Sequence, residues 1–149
     1  MNVIKLPISQ LSFDPINARK HNEKNLKAIV GSLRKFGLQK PIVIDKNNIV
    51  IAGNGTLAAA KELGWTEIDC VRTDLTKTEA IAFALADNKT AELAEWDDEV
   101  LSKTLDALLN EGFEVEDIGF DIDDVPGLGK DSQQTKDKKP CENCGWVKP

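Results

Sequence analysis

The chain contains no tyrosine, one histidine, one methionine and three cysteines among its 149 residues. So few cysteines exclude a disulfide-held scaffold and favour reduced or metal-bound thiols, as in a cytoplasmic protein. No apolar run reaches the ~20 residues of a membrane-spanning helix, and the N-terminus lacks the apolar stretch of a signal peptide. Hydrophobic residues at 41% and charged residues at 30% are normal for a soluble globular chain. We therefore expect a cytoplasmic protein without membrane association.

Charge is unevenly distributed along the chain, although the net value is −6. Residues 1–64 carry ten basic and four acidic side chains, residues 65–125 carry four and eighteen, and residues 126–149 carry five and three. A phosphate or nucleic acid responds to the local field, so anion binding remains open for the first 64 residues. The alternative is that these charges are solvated faces of one ordinary domain.

Strand and helix signals alternate along the chain. The predicted elements are a strand at 3–6, a helix between Asn22 and Gly37, a hairpin of strands 41–45 and 49–52, a helix after Gly53, a strand at 67–71 that includes Cys70, a helix from Thr76 to about Ala94, and a helix from Asp97 or Asp98 to Gly112. This order predicts an α+β fold, with a small mixed sheet, flanking helices, a helical C-terminal extension and a flexible tail. The expected domains are 1–95, an acidic helical extension at 96–125, and a tail at 126–149.

The turn Gly53-Asn54-Gly55-Thr56 lies between a predicted strand and a predicted helix. Glycines let a backbone approach an anion, and the free N–H groups and dipole at a helix start favour phosphate. Thr56 is expected either to cap the helix or to offer its hydroxyl. The four residues are therefore a candidate phosphate cradle, and a tight turn that merely requires glycine is the alternative. The sequence contains neither a P-loop nor a dinucleotide-binding pattern.

A polar and basic loop, residues 17–21, precedes the first long helix. An amide beside cationic groups suits a phosphate or a nucleic-acid backbone, so Asn17, Arg19 and Lys20 are candidate phosphate-binding residues. An exposed basic loop is the alternative. Because His21 is the only histidine and no nucleophile-elbow pattern occurs, we do not expect a catalytic triad.

Two further pairs suit metal ions. Asp87 and Asn88 offer the hard oxygen donors that Mg²⁺ takes together with substrate phosphates, and Glu92 lies one helical turn further on. The alternative is an ordinary polar helix face or C-cap. Cys141 and Cys144 have the spacing of half a zinc site, which a second chain, a partner or further C-terminal residues could complete. A redox pair, a disulfide or an incidental pair are the alternatives.

Four motifs in register resemble the N-terminal domain of the ParB/sulfiredoxin superfamily, in the type found in phages and mobile elements. PINAR at 15–19 resembles a proline-containing loop ending in N-x-R, and GLQKPIVID at 37–45 resembles G-x-x-x-P-I-x-V. GNGTLAAAKELG at 53–64 stands where the family has G-E-R-R-x-x-A, and ADNKTAE at 86–92 resembles a helix with an acidic-Asn pair. The resemblance covers roughly residues 3–95.

The resemblance implies a domain that binds a nucleoside triphosphate, which is CTP in partition members and ATP in others. It places phosphates on residues 53–56 with help from Asn17 and Arg19, and it places Mg²⁺ near Asp87 and Asn88. Relatives include nucleases, partition clamps, serine kinases and sulfinic-acid reductases.

This chain departs from the family pattern at the phosphate box. Asn54, Gly55 and Thr56 replace a glutamate and two arginines, and Ala58 replaces a further arginine. These losses remove a general-base candidate and cations that would stabilise a phosphoryl-transfer transition state. A sulfiredoxin-type reductase is not expected, because the box has no cysteine. No helix-turn-helix follows, so we do not expect the chain alone to read an operator sequence.

We therefore expect a ParB-like protein of DNA metabolism that binds a nucleoside triphosphate, the DNA backbone, or both. One alternative is an enzyme of the same fold, either a Mg²⁺-dependent nuclease or a nucleotide-using kinase. The other is a non-catalytic adaptor for a DNA methyltransferase or a phage protein. Such an adaptor would use the acidic stretches 92–98 and 111–124 together with the cysteine pair, and a homodimer would complete a zinc site.

Overall fold

The computed structural model describes residues 1–121 and 123, which form one compact unit over Met1–Glu95 and a second unit that begins at Trp96. The α+β prediction is confirmed. The predicted tail at 126–149 lies outside the described residues. In chain order the elements are β1 (Val3–Pro7), β2 (Ser12–Phe13), α1 (Glu23–Phe36), β3 (Ile42–Ile44), β4 (Ile49–Ala52), α2 (Asn54–Glu62), β5 (Glu67–Arg72), α3 (Lys77–Leu93) and α4 (Asp98–Asn110).

The first unit is built on a five-stranded mixed sheet with the order β1-β5-β3-β4-β2. The pairs β1/β5 and β3/β4 are antiparallel, whereas β3/β5 and β2/β4 are parallel. The predicted hairpin of β3 and β4 is confirmed. Strand β2 was not predicted, because two residues carry no periodic pattern and Ser12 finds its partner only at Ile49.

Helices α1 and α2 and the sheet enclose the main hydrophobic core. Cys70 lies inside the sheet as predicted, with no exposed surface, and burial raises the pKa of its thiol. The fully or nearly fully buried side chains of this core are Ile8, Leu11, Val30, Leu33, Ile42, Ile44, Val50, Leu57, Ala59, Ala60, Ile68 and Cys70. The amphipathic pattern of α1 is thereby confirmed, since Val30 and Leu33 form its inner face.

The helix starts are where the sequence predicts them. Asn22 accepts a hydrogen bond from the backbone N–H of Asn25 (2.7 Å), and Asp97 accepts one from that of Val100 (3.1 Å). At the start of α3, Thr76 and Glu79 form the predicted capping box. The backbone N–H of Thr76 donates to Glu79 Oε2 (2.8 Å), and this hydrogen bond lowers the pKa of the Glu79 carboxyl.

The second unit has a small core of its own. Leu105 of α4 and Val115 are each 1% exposed, and the rings of Trp96 and Phe120 meet edge-to-face with centroids 5.5 Å apart. Among the helices of residues 1–121, none is both long and apolar enough to cross a membrane.

Candidate functional site

Gly53 turns the chain from β4 into α2. Its φ of +105° lies in the left-handed region that side chains other than glycine rarely adopt. A Cβ atom at this position would lie 2.5 Å from Cγ2 and 2.9 Å from Cβ of Ile42 on the neighbouring strand β3. The turn therefore requires glycine for two reasons, its backbone angle and its close packing on the sheet.

Helix α2 begins with unused donors. Gly53 is the N-cap and supplies no side chain, and the first helical bond runs from Leu57 N to Gly53 O (2.9 Å). The N–H groups of Asn54, Gly55 and Thr56 precede that bond, and none of them has a hydrogen-bond acceptor within the described part of the chain. The expectation that Thr56 caps the helix is wrong, because Thr56 is already its third residue; its hydroxyl remains available.

The side chain of Asn54 is part of the fold. It is 7% exposed, its Oδ1 accepts from the backbone N–H of Asp14 (3.1 Å), and its Nδ2 donates to the carbonyl of Val50 (3.0 Å). Of the predicted contributions of Asn54 to a phosphate cradle, the backbone N–H remains unpaired within the described residues, whereas the side chain is held by these two bonds. The side chain instead ties the 14–21 loop to the start of α2.

Two successive side-chain turns shape that loop. Asp14 Oδ1 accepts from the backbone N–H of Ile16 (3.0 Å), and Asn17 Oδ1 accepts from that of Arg19 (3.2 Å). Such local bonds restrict the backbone of an exposed loop. They hold Asn17 and Arg19 in place while leaving the guanidinium of Arg19 free to reach across to α3.

A pocket of about 230 Å³ lies between this loop and the starts of α1 and α2, with α3 on its far side. The structure brings together here residues from all three motifs that the sequence assigned to phosphate and Mg²⁺. Its polar lining consists of Asn17, Arg19, His21, Asn25, Gly53, Asn54, Gly55, Thr56, Asp87 and Asn88. Lys20 does not line this pocket, and Cys141 and Cys144 lie outside the described residues.

Arg19 joins the loop to α3. Its Nη1 donates to Asn88 Oδ1 (3.5 Å) and lies 4.0 Å from Glu92 Oε1, so Asn88 and Glu92 share one helix face. Across residues 1–121 and 123 no three His, Cys, Asp or Glu side chains gather into a metal-binding group. Mg²⁺ beside Asp87 and Asn88 would therefore need phosphate oxygens or water as its other ligands.

His21 belongs to the predicted polar and basic loop 17–21, but it was not among the candidate phosphate-binding residues. Its Nδ1 lies 2.6 Å from Oδ1 of Asn25, and its ring packs on the first turn of α2. A second signal in the sequence was the four-residue spacing of His21 and Asn25 at a helix start, which places two side chains on one face.

A second, larger cleft of about 640 Å³ adjoins the pocket. It lies between α1, the segment 36–43 and α3, and it shares Ile29, Ala52, Gly53, Thr56 and Asp87 with the pocket. Phe36 and Phe83 give it apolar walls, and Ser32 and Gln39 add polar groups. Residues 37–45 match a family motif, and nothing in their sequence predicts that they line a cleft.

Comparison with known proteins identifies the family. The chain matches the model of the ParB N-terminal domain over residues 1–89, so it belongs to that family. The ParB-like nuclease domain-containing protein YnaK of Escherichia coli is 33% identical over 63 residues, which cover 42% of this chain and 72% of YnaK.

Longer relatives share only part of their length with this chain. The probable chromosome-partitioning protein ParB of Campylobacter jejuni is 34% identical over 87 residues, which are 56% of this chain and 31% of that protein. Among solved structures, a C-terminally truncated ParB from Caulobacter crescentus, complexed with CTP-γ-S, has a TM-score of 0.69 at 18% identity, covering 81% of this chain and 73% of the other. That likeness establishes the fold.

Proposed function

We propose that the first unit binds a nucleoside triphosphate, with its phosphates at the start of α2 and its nucleoside in the adjoining cleft. The observation that carries the proposal is the set of three unpaired N–H groups at residues 54–56, which line a pocket that Arg19 also lines. Unpaired donors and the helix dipole favour an anion at this point, and a guanidinium strengthens the attraction. The neighbouring cleft has aromatic walls suited to a base.

CTP is the first nucleotide to test and ATP the second. The support for CTP is the fold shared with the Caulobacter crescentus protein that is complexed with CTP-γ-S. In this proposal Asp87 and Asn88 hold Mg²⁺ through the ligand's phosphates, since hard oxygen donors from a nucleotide complete its coordination. Arg19 then has two competing sets of partners, the phosphates and its present contacts on α3.

We infer that this site binds a nucleotide without hydrolysing it. The box lacks the glutamate and arginines of the family pattern, and the buried side chain of Asn54 is held by two backbone groups. The remaining carboxylate in the pocket, Asp87, is suited to a metal ion rather than to activating water at the α2 start. A nuclease or kinase of this fold remains the enzymatic alternative.

A thermal-shift screen of CTP, ATP and GTP with Mg²⁺, followed by chromatography of the nucleotide, tests the proposal. We expect one nucleotide to raise the unfolding temperature and to be recovered intact. Recovery of a diphosphate or monophosphate would instead favour the enzymatic alternative. No stabilisation by any of the three nucleotides would contradict nucleotide binding.

A second candidate function is contact with the DNA backbone. The excess of basic side chains in residues 1–64 and the relationship to chromosome-partitioning proteins favour it. Lys20 is exposed beside the pocket and is the predicted residue that such a surface would use. DNA retardation should weaken steeply with salt and weaken further in the Arg19→Ala, Lys20→Ala double variant. Equal retardation of variant and wild type would reject this surface.

The adaptor hypothesis concerns the C-terminal third of the chain. We propose that the acidic second unit contacts a protein partner, such as a DNA methyltransferase or a phage protein, and that Cys141 and Cys144 hold zinc in a homodimer. Metal analysis of protein purified without chelator should then find about half a zinc ion per chain, as expected for one four-cysteine site per dimer. A metal-free monomer would contradict both the zinc site and the dimer.

A further inference from the structure

The only histidine of the chain stands directly against the proposed phosphate cradle. A Cβ atom on Gly55 would lie 2.6 Å from Cε1 and 2.8 Å from Nδ1 of His21. The imidazole therefore fills the space in which a side chain of residue 55 would begin. Gly55 is buried in the first turn of α2, so the ring stands beside the unpaired N–H groups that begin that helix.

Asn25 fixes the orientation of the ring. The 2.6 Å contact joins Nδ1 of His21 to Oδ1 of Asn25, four residues further along at the start of α1. With an amide oxygen as acceptor, the proton of the neutral ring lies on Nδ1. Nε2 then has no hydrogen-bond partner within the described residues. A neutral Nε2 is an acceptor that repels a phosphate oxygen, whereas a protonated Nε2 is a charged donor.

The other charged groups of the pocket come from two elements. Arg19 lines it from the loop and Asp87 lines it from α3, and these carry opposite charges. Helix α1 contributes Asn25 and Ile29, and the first turn of α2 contributes no charged side chain. A change in the charge of the imidazole therefore changes the net charge of the pocket.

We propose that His21 contacts the bound phosphates through Nε2 in its protonated form, so that anion binding at the start of α2 tightens as pH falls. The inference rests on the proposed nucleotide site and specifies how that site is regulated. It also supplies a cation beside residue 55, where the family pattern carries an arginine and this chain carries glycine.

The test is the affinity for CTP and for inorganic tripolyphosphate, each with Mg²⁺, measured by calorimetry between about pH 5.5 and about pH 8. The wild type is compared with His21→Asn, which cannot become charged. We expect the wild type to bind about tenfold more tightly than His21→Asn at the acidic end, since a charge-assisted hydrogen bond is lost, and about equally at the alkaline end. Titration of the ligand affects both proteins and cancels in the ratio.

Lys27→Gln is the matched control, because it also removes one cation near the start of α1 but from a side chain paired with Glu23 (3.2 Å) outside the pocket. Its affinity relative to the wild type should not vary with pH. A ratio between wild type and His21→Asn that stays constant over the pH range would overturn the inference. If the wild type binds tripolyphosphate but not CTP, the nucleotide proposal is refuted. The role of His21 is then decided by the ratio of the tripolyphosphate affinities of the wild type and His21→Asn. Failure of the wild type to bind either probe would overturn both.

Discussion

Replacing Gly53 by alanine tests the reason for the turn that forms the site. The change forces an alanine into a φ of +105° and drives its Cβ into the side chain of Ile42, 2.5 Å from Cγ2. A left-handed backbone costs a residue with a side chain about 1–2 kcal/mol, and overpacking in a close contact typically costs about 1–3 kcal/mol. After the modest gain from a stiffer unfolded chain, the expected net loss of unfolding free energy is about 3 kcal/mol.

Gly64→Ala is the matched control for Gly53→Ala. Gly64 also has a positive φ, +75°, but a Cβ there would meet no atom within 4 Å. Only the cost of the left-handed backbone applies to Gly64→Ala, so the expected loss of unfolding free energy is about 1 kcal/mol. Urea unfolding should place the midpoint of Gly53→Ala more than about 1 M below that of Gly64→Ala with unchanged slopes. Equal midpoints for the two variants would show that packing against Ile42 does not require glycine at position 53.

Three smaller predictions concern single side chains. Asn54→Ala leaves two backbone groups without their partner and should lower the unfolding free energy by about 2 kcal/mol, as measured by urea denaturation; a loss below about 0.5 kcal/mol would contradict the bridging role. Because the pKa of Glu79 is lowered in the folded state, its stabilising effect is present at neutral pH and disappears as pH falls through that pKa. Glu79→Gln should therefore reduce the thermal midpoint at neutral pH but not in acid, and an equal reduction at both would refute this. Burial and a raised thiol pKa should protect Cys70 from alkylation until the protein unfolds, in a variant whose two C-terminal cysteines are serine; rapid labelling of the folded protein would contradict its position in the sheet.

The elements that the sequence predicts well are those determined by neighbouring residues. The caps at Asn22, Thr76 and Asp97 each depend on a backbone N–H within three residues, so a short motif contains the whole interaction. Strand β2 depends instead on pairing with β4 across 37 positions, from Ser12 to Ile49, and no local pattern encodes that pairing.

The site shows the same division between local and long-range information. Of the residues that the sequence predicts for phosphate binding, the structure brings Asn17, Arg19 and residues 53–56 together in the pocket at the start of α2, but not Lys20. The sequence motifs do not reveal that the Asn54 side chain is used by the fold, because its partner Asp14 lies 40 residues away. Nor do they reveal that His21 packs on the first turn of α2, which depends on the missing side chain of Gly55.

The central claim is that the start of α2 binds phosphate. Replacing Thr56 by a negatively charged residue tests this claim most directly. Thr56 lines both clefts, and an acidic residue in the first turn of a helix favours the helix while repelling an anionic ligand. Thr56→Asn is the neutral control, because asparagine has the same shape as aspartate. The measurement is the CTP affinity of Thr56→Asp, Thr56→Asn and the wild type, with thermal unfolding of the free proteins alongside. We predict that Thr56→Asp is as stable as Thr56→Asn but binds CTP at least about tenfold more weakly. Equal affinity of the two folded variants for CTP would contradict a phosphate site at this helix start.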